Sequence, residues 1–135
     1  MDVMKLSDII RQTSFDLHKY LKSGHLEKVY ETGLLHRLSK QGLDVQRQVP
    51  LKVNDEDGAI LGEYFADLLV ENCIIIEIKA CKTLINEHTD QLLGYLRASE
   101  IEHGILVNFG NSKLQIKKYI LSNDSHEKAQ NTQNA

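Results

Sequence analysis

Four isoleucines stand within Ile74-Ile-Ile-Glu77-Ile-Lys79-Ala80, and the two residues that interrupt and follow them, Glu77 and Lys79, are charged. Such a run belongs in the middle of a sheet, where neither face has much water. Side chains alternate along a strand, so Ile74, Ile76, Ile78 and Ala80 form one apolar stripe. Glu77 and Lys79 fall on the other face, together with Cys73, Ile75 and Cys81. An ionised group in a buried strand is costly unless it is paired, hydrated or bound to metal. The preceding segment, Ala59 to Val70, reads as another strand and carries Asp67. Glu71-Asn72-Cys73 reads as the turn between them. A three-residue loop puts Asp67 directly across from Glu77 on one face, and a two-residue loop shifts the register by one and separates them.

Two carboxylates and a lysine meeting on adjacent strands have a specific chemistry. Magnesium takes oxygen ligands, and Asp67, Glu77 and the Ile78 carbonyl are three candidates. A cation so held polarises a phosphate oxygen and activates water. Lys79 could orient or deprotonate that water, or neutralise charge developing on phosphorus. The alternative is an ion-pair ladder on the solvated face of a hairpin. Gln91 and Tyr95, at i and i+4 on a helix expected over Leu84 to Ser99 with Thr83 as its cap, share a face that can overhang the site. Their plainer reading is a core tyrosine with a polar neighbour. Glu27, or Glu31 one turn on, could add a carboxylate from a helix over His25 to Lys40, or could simply complement that helix's dipole. Of six histidines only His88, three residues before Gln91, is placed for a site role. Lys82 and Arg97 are the nearest cations in sequence that could contact a polyanion. No Gly-x-Ser-x-Gly, P-loop or Gly-x-Gly-x-x-Gly occurs.

The remaining elements follow from periodicity and punctuation. A first helix, capped by Ser7, ends at Ser23-Gly24. Leu43 to Val53 alternates as a strand, with Pro50 marking an edge or bulge. Ile105 to Phe109 reads as a buried strand and Leu114 to Leu121 as a strand or short helix. The polar segment 122–135 lacks apolar periodicity and reads as a disordered tail after a single domain over 1–121. The result is an α/β chain with a mixed sheet, parallel where a helix crosses between the third and fourth strands.

The chain has 135 residues, enough for one ordinary core. With 41% hydrophobic residues, 26% charged and one proline, it is not of disordered composition. No apolar run approaches the roughly 20 residues of a membrane span, and the first residues lack a signal-peptide layout, so the cytoplasm is expected. Cys73 and Cys81, about 26 Å apart if on one extended strand, are expected to be reduced thiols without zinc. A net charge of −3 argues against an indiscriminate polyanion binder but not against a local basic patch.

Several spaced motifs resemble one family. Gly24-His-Leu-Glu27-Lys-Val-Tyr30 is similar to the signature that names the GxxExxY proteins. The likeness continues through Gln48-Val-Pro50-Leu51, Gly62-Glu-Tyr-Phe65-Ala-Asp67, Ile76-Glu77-Ile-Lys79-Ala, Gln91-Leu-Leu-Gly-Tyr95 and Gly104-Ile-Leu-Val-Asn108-Phe109-Gly110, covering about residues 5 to 121. That family is placed in the PD-(D/E)xK nuclease-like superfamily. The resemblance implies a restriction-endonuclease-like αβββαβ core and a phosphodiesterase site using Mg²⁺, with Mn²⁺ as a substitute. Asp67 and Glu77 would bind metal, Lys79 would assist the water, and Glu27 would be the first-helix carboxylate. Gln91 and Tyr95 resemble the Gln-x-x-x-Tyr element of RecB-like nucleases. Ala66 stands where the superfamily name has proline. The implied substrate is DNA or RNA. A noncatalytic nucleic-acid-binding or assembly module, acting as a homodimer or with a protein partner, is the competing reading, and a hydrolase of small phosphoesters a third.

Overall fold

Nine elements follow one another in the computed structural model, which describes residues 1–121 and 129–134. They are α1 (Val3–Leu21), α2 (Glu27–Lys40), β1 (Val45–Asn54), β2 (Ile60–Val70), β3 (Ile74–Lys79), α3 (Asn86–Ser99), β4 (His103–Asn108), β5 (Gln115–Leu121) and β6 (Ala129–Asn134). The strands form one sheet in chain order. Every neighbouring pair is antiparallel except β3 and β4, which are parallel and joined by α3. This is a mixed α/β sheet flanked by helices, consistent with the restriction-endonuclease-like fold.

The sheet is covered on both faces. Ile74, Ile76 and Ile78 pack with Leu6, Ile10, Tyr30 and Leu34 of α1 and α2. Ile75 and Leu106 pack with Leu92, Tyr95 and Leu96 of α3 on the other face. β3 is therefore buried on both sides, as its isoleucine run requires. Pro50 sits on the edge strand β1, where a missing N–H costs no ladder bond.

Several boundaries differ from those expected. Asp2, not Ser7, caps α1, its carboxylate accepting from the Met4 N–H at 3.1 Å. Ser7 is buried one turn further on. A capping carboxylate was available earlier in the chain, so the helix starts there. α3 begins at Asn86, because Thr83 takes a bond from the Gln115 side chain at 3.2 Å and His88 does the capping. The His88 Nδ1 accepts from the Ile85 N–H at 3.1 Å. Leu114 to Leu121 is a strand rather than a helix. Of the tail expected over 122–135, residues 122–128 and 135 lie outside the described residues. Ala129–Asn134, however, pairs with β5 as β6. An open sheet edge offers main-chain groups to any extended segment, so a polar one can join without apolar side chains.

Beyond β3 the chain is clamped by Asn108, which is fully buried and fully bonded. Its Oδ1 accepts from the Cys81 and Gly110 N–H groups at 3.0 and 2.9 Å. Its Nδ2 donates to the Cys81 carbonyl at 2.9 Å and to Gln115 Oε1 at 2.8 Å. Gly110 lies so close that a Cβ there would overlap the Cys81 backbone. The residues that follow Lys79 are thus fixed against the β4–β5 turn. Both cysteines are free. Among the described residues no helix is long and apolar enough to cross a membrane.

Candidate active site

The β2–β3 ladder runs from Val70↔Ile74 to Leu68↔Ile76 across a three-residue loop. That register places Asp67 opposite Glu77, the condition the sequence left open. There the ladder stops and the carboxylates take it over. The Asp67 N–H donates to Glu77 Oε1 at 2.9 Å, and the Ile78 N–H donates to Asp67 Oδ2 at 2.8 Å.

A change of face along both β1 and β2 accompanies the placing of Asp67 against β3. In β2, Ala66 packs in the α3 layer and Leu68 in the α1–α2 layer, although they are two residues apart. In β1, Val45 belongs to the α1–α2 layer, while Val49 and Leu51 belong to the α3 layer. Equal parity therefore does not mean one face here, contrary to simple alternation. The switch in β1 occurs at Gln48, which has φ +50° in the middle of a strand. Its neighbours pair as Arg47↔Leu68 and Val49↔Ala66, so Gln48 lies opposite Asp67.

Gln48 uses that position to join two acids. Its Nε2 donates to Glu31 Oε1 at 3.0 Å and to Asp67 Oδ1 at 3.3 Å. Glu31 is buried and is also held by Arg47, whose Nη2 lies 2.9 Å from Oε2. Strained backbone at a polar relay is the pattern of a positioning residue. Strand alternation carries no signal for a positive φ, so sequence reading registered Gln48 only as part of a motif. Gln48→Gly is expected to keep the fold, since glycine takes this φ freely, and to weaken divalent-cation binding about 10–100-fold. Titration calorimetry with Mn²⁺ beside a thermal melt checks it, and unchanged affinity would remove Gln48 from this role.

The electrostatics of the pair follow from burial. Glu77 is 3% exposed. Burial first, then the Asp67 charge, pushes its carboxyl up to about 8, against the Asp67 N–H and Lys79. Asp67 rises to about 6, again chiefly through burial, with Glu31 and Glu27 adding repulsion and the Ile78 N–H opposing it. In the folded chain both groups therefore hold protons that an unfolded chain releases near pH 4. The folded state binds more protons between about pH 4 and pH 8, so stability falls as pH rises through that window. Melting in chelator from pH 5 to 8.5 is expected to show this decline. Added Mn²⁺ is expected to raise the melting temperature more at pH 8 than at pH 5.5. A cation response independent of pH would contradict it.

The other expected residues fall at three distances from the pair. Lys79 donates from Nζ to Gln91 Oε1 at 2.9 Å, which ties β3 to α3. Tyr95, 7% exposed, sits with its ring 5.3 Å from Tyr64. Burial and the charges of Glu77 and Asp67 push its hydroxyl up to about 12, so it stays a proton donor. Glu27 is exposed in the first turn of α2, and its charge reaches Asp67, Glu77 and His88. His88 is held in its capping bond, and burial and Lys79 lower its pKa. Lys82 is exposed beyond β3, its carbonyl accepting from Asn111 Nδ2 at 2.6 Å. Arg97 is exposed near the end of α3, beside Lys52 and Tyr64 of the β1–β2 ribbon. The structure does not draw these two cations onto the carboxylates.

Among the described residues no three His, Cys, Asp or Glu side chains gather as a ready cation cage. Buried Glu77 and half-buried Asp67 nonetheless offer two carboxylates whose charge lacks compensation, which suits a hard divalent cation.

The chain has counterparts. A family model described as the PD-(D/E)XK nuclease superfamily matches residues 4–119. The chain belongs to this superfamily. PD-(D/E)XK nucleases generally use divalent metals. The crystal structure of SSO0001 is similar over 67% of this chain and 48% of that one, with a TM-score of 0.55 and 23% identity. This chain thus spans about half the length of SSO0001, and at that identity the likeness speaks for the fold alone. No curated protein matches the chain.

Proposed function

We propose that this PD-(D/E)XK protein is a nuclease of the GxxExxY type that hydrolyses phosphodiester bonds in DNA or RNA with a divalent cation, Mg²⁺ or in its place Mn²⁺. The observation that carries this is the pairing of half-buried Asp67 with buried Glu77, with Lys79 two residues on. Asp67, Glu77 and the Ile78 carbonyl would hold the cation, with Glu27 adding a further carboxylate from α2. When bound, such a cation polarises a phosphoryl oxygen and lowers the pKa of water. The chain's own groups supply the rest. Lys79, steadied by Gln91 Oε1, presents its ammonium to the attacking water or to charge developing on phosphorus. That bond leaves the Gln91 amide donors for a phosphate or sugar. Tyr95 remains a hydroxyl donor over the same range. Lys82 and Arg97 would meet the nucleic-acid backbone on either side. The protein would act in the cytoplasm, as a homodimer or with a protein partner where the small chain alone lacks substrate-selecting elements.

A second reading rests on the lack of a third converging ligand among the described residues. It makes the chain a noncatalytic nucleic-acid-binding or assembly module on the nuclease fold. The two part in a cleavage assay with labelled single- and double-stranded DNA and RNA, using wild type and Lys79→Ala purified in parallel. Cation-dependent cutting is expected in wild type, falling about 10²–10⁴-fold in the variant. Equal cutting by both would refute the assignment of Lys79, and folded protein that binds but never cuts would favour the module.

A further inference from the structure

A cleft of about 820 Å³ lies between the last turns of α1 and the β4–β5 turn. Lys19, Lys22 and Lys113 line it, with Phe15, His18 and Asp16. All three lysines are exposed, and Phe15 is 38% exposed. Among the described residues Lys19, Lys22 and Lys113 show no ion pair to a carboxylate within 4 Å. Lys22 Nζ rests on the Lys19 carbonyl at 2.8 Å, which holds its charge at the rim. Asp16 is occupied by Gln12, whose Nε2 donates to Oδ1 at 3.0 Å. In a chain of net charge −3 this is a local concentration of positive charge.

The cleft lies at the same end of the sheet as Lys79. Lys79 ends β3, and Asn108 beside it ends the parallel strand β4. β5 begins at Gln115, paired with Asn108. Lys113, two residues before β5, therefore lies beyond the same strand ends as Lys79. The ground between is bridged by Asn111, whose Nδ2 donates to the Lys82 carbonyl and whose own carbonyl meets His18 Nε2 at 3.0 Å. Lysines beside a partly exposed aromatic ring match a single strand, whose unpaired bases can stack. A duplex keeps its bases stacked on one another and offers no face to Phe15.

We infer that this cleft is a binding track for a single-stranded segment of nucleic acid leading to the carboxylate site, with Lys19, Lys22 and Lys113 on phosphates and Phe15 against a base. The inference rests on the proposed nuclease reading for the direction of the track, but binding can be measured without cutting. Fluorescence anisotropy in chelator would use labelled oligo(dT) and a duplex of equal length over a range of salt. Lys19→Glu with Lys113→Glu is expected to weaken oligo(dT) at least about tenfold and to flatten the salt slope by about 1.4, for two phosphate contacts at 0.7 each. Phe15→Ala is expected to weaken oligo(dT) about fivefold or more and leave the duplex unchanged. Wild-type affinity in both variants, equal loss on duplex and single strand in Phe15→Ala, or no binding by wild type would each overturn the track. Cutting by wild type with unaltered binding in the variants sinks the cleft but keeps the nuclease. Cleft-dependent binding without any cutting does the reverse.

Discussion

Glu77→Gln is expected to make the cation-free chain more stable at pH 8 and to abolish its cation-dependent cleavage. Glu77 is buried in the central strand, and its carboxyl is pushed up to about 8 by burial and by Asp67. Glutamine keeps the shape and the oxygen that accepts the Asp67 N–H, so packing is retained. It removes a charge that the fold holds at a cost. The melting temperature in chelator should rise on the order of 5 °C at pH 8 and little at pH 5. Cleavage should fall by at least about 10²–10³-fold, as when a group that stabilises transition-state charge is lost. Such an exchange of stability for function is common at active sites. A variant that melts lower and still cuts would show that Glu77 is a structural acid.

Tyr30→Ala is expected to be the most damaging single change in the α1–α2 layer. Tyr30 is fully buried and stacks on Phe109 with ring centroids 4.7 Å apart and planes 8° from parallel. Its hydroxyl donates to the Lys22 carbonyl at 2.6 Å and accepts from the His25 N–H at 3.1 Å. One side chain thus fixes the connection between α1 and α2 to the end of β4. Removing it should cost about 3–5 kcal/mol in urea unfolding. Tyr30→Phe, which leaves the two backbone groups without their partner, should cost about 1–3 kcal/mol. The tyrosine of the Gly-x-x-Glu-x-x-Tyr motif is accordingly a support that sets Glu27 one turn away. A stable Tyr30→Ala variant would contradict this account.

These two residues also mark how far sequence carries. The isoleucine run reads as a strand half or fully buried, and the structure buries it on both faces; the Glu71–Cys73 turn leaves two registers, of which the structure takes one. Glu31 was weighed beside Glu27 on the helix, but helical spacing alone could not tell which is buried against Arg47. Alternation predicted one face for Val45, Val49 and Leu51, and the positive φ at Gln48 breaks it. Helix starts moved because Asp2 and His88 reach main-chain N–H groups that Ser7 and Thr83 do not. The β6 pairing is made by backbone, which side-chain patterning does not report.

The measurement that bears most directly on the account is titration calorimetry of Mn²⁺ into wild type and Glu77→Gln at pH 8. Saturable binding in wild type that is lost in the variant is expected. Binding of equal strength in both, or none in folded wild type, would show that the Asp67–Glu77 pair is not a cation site.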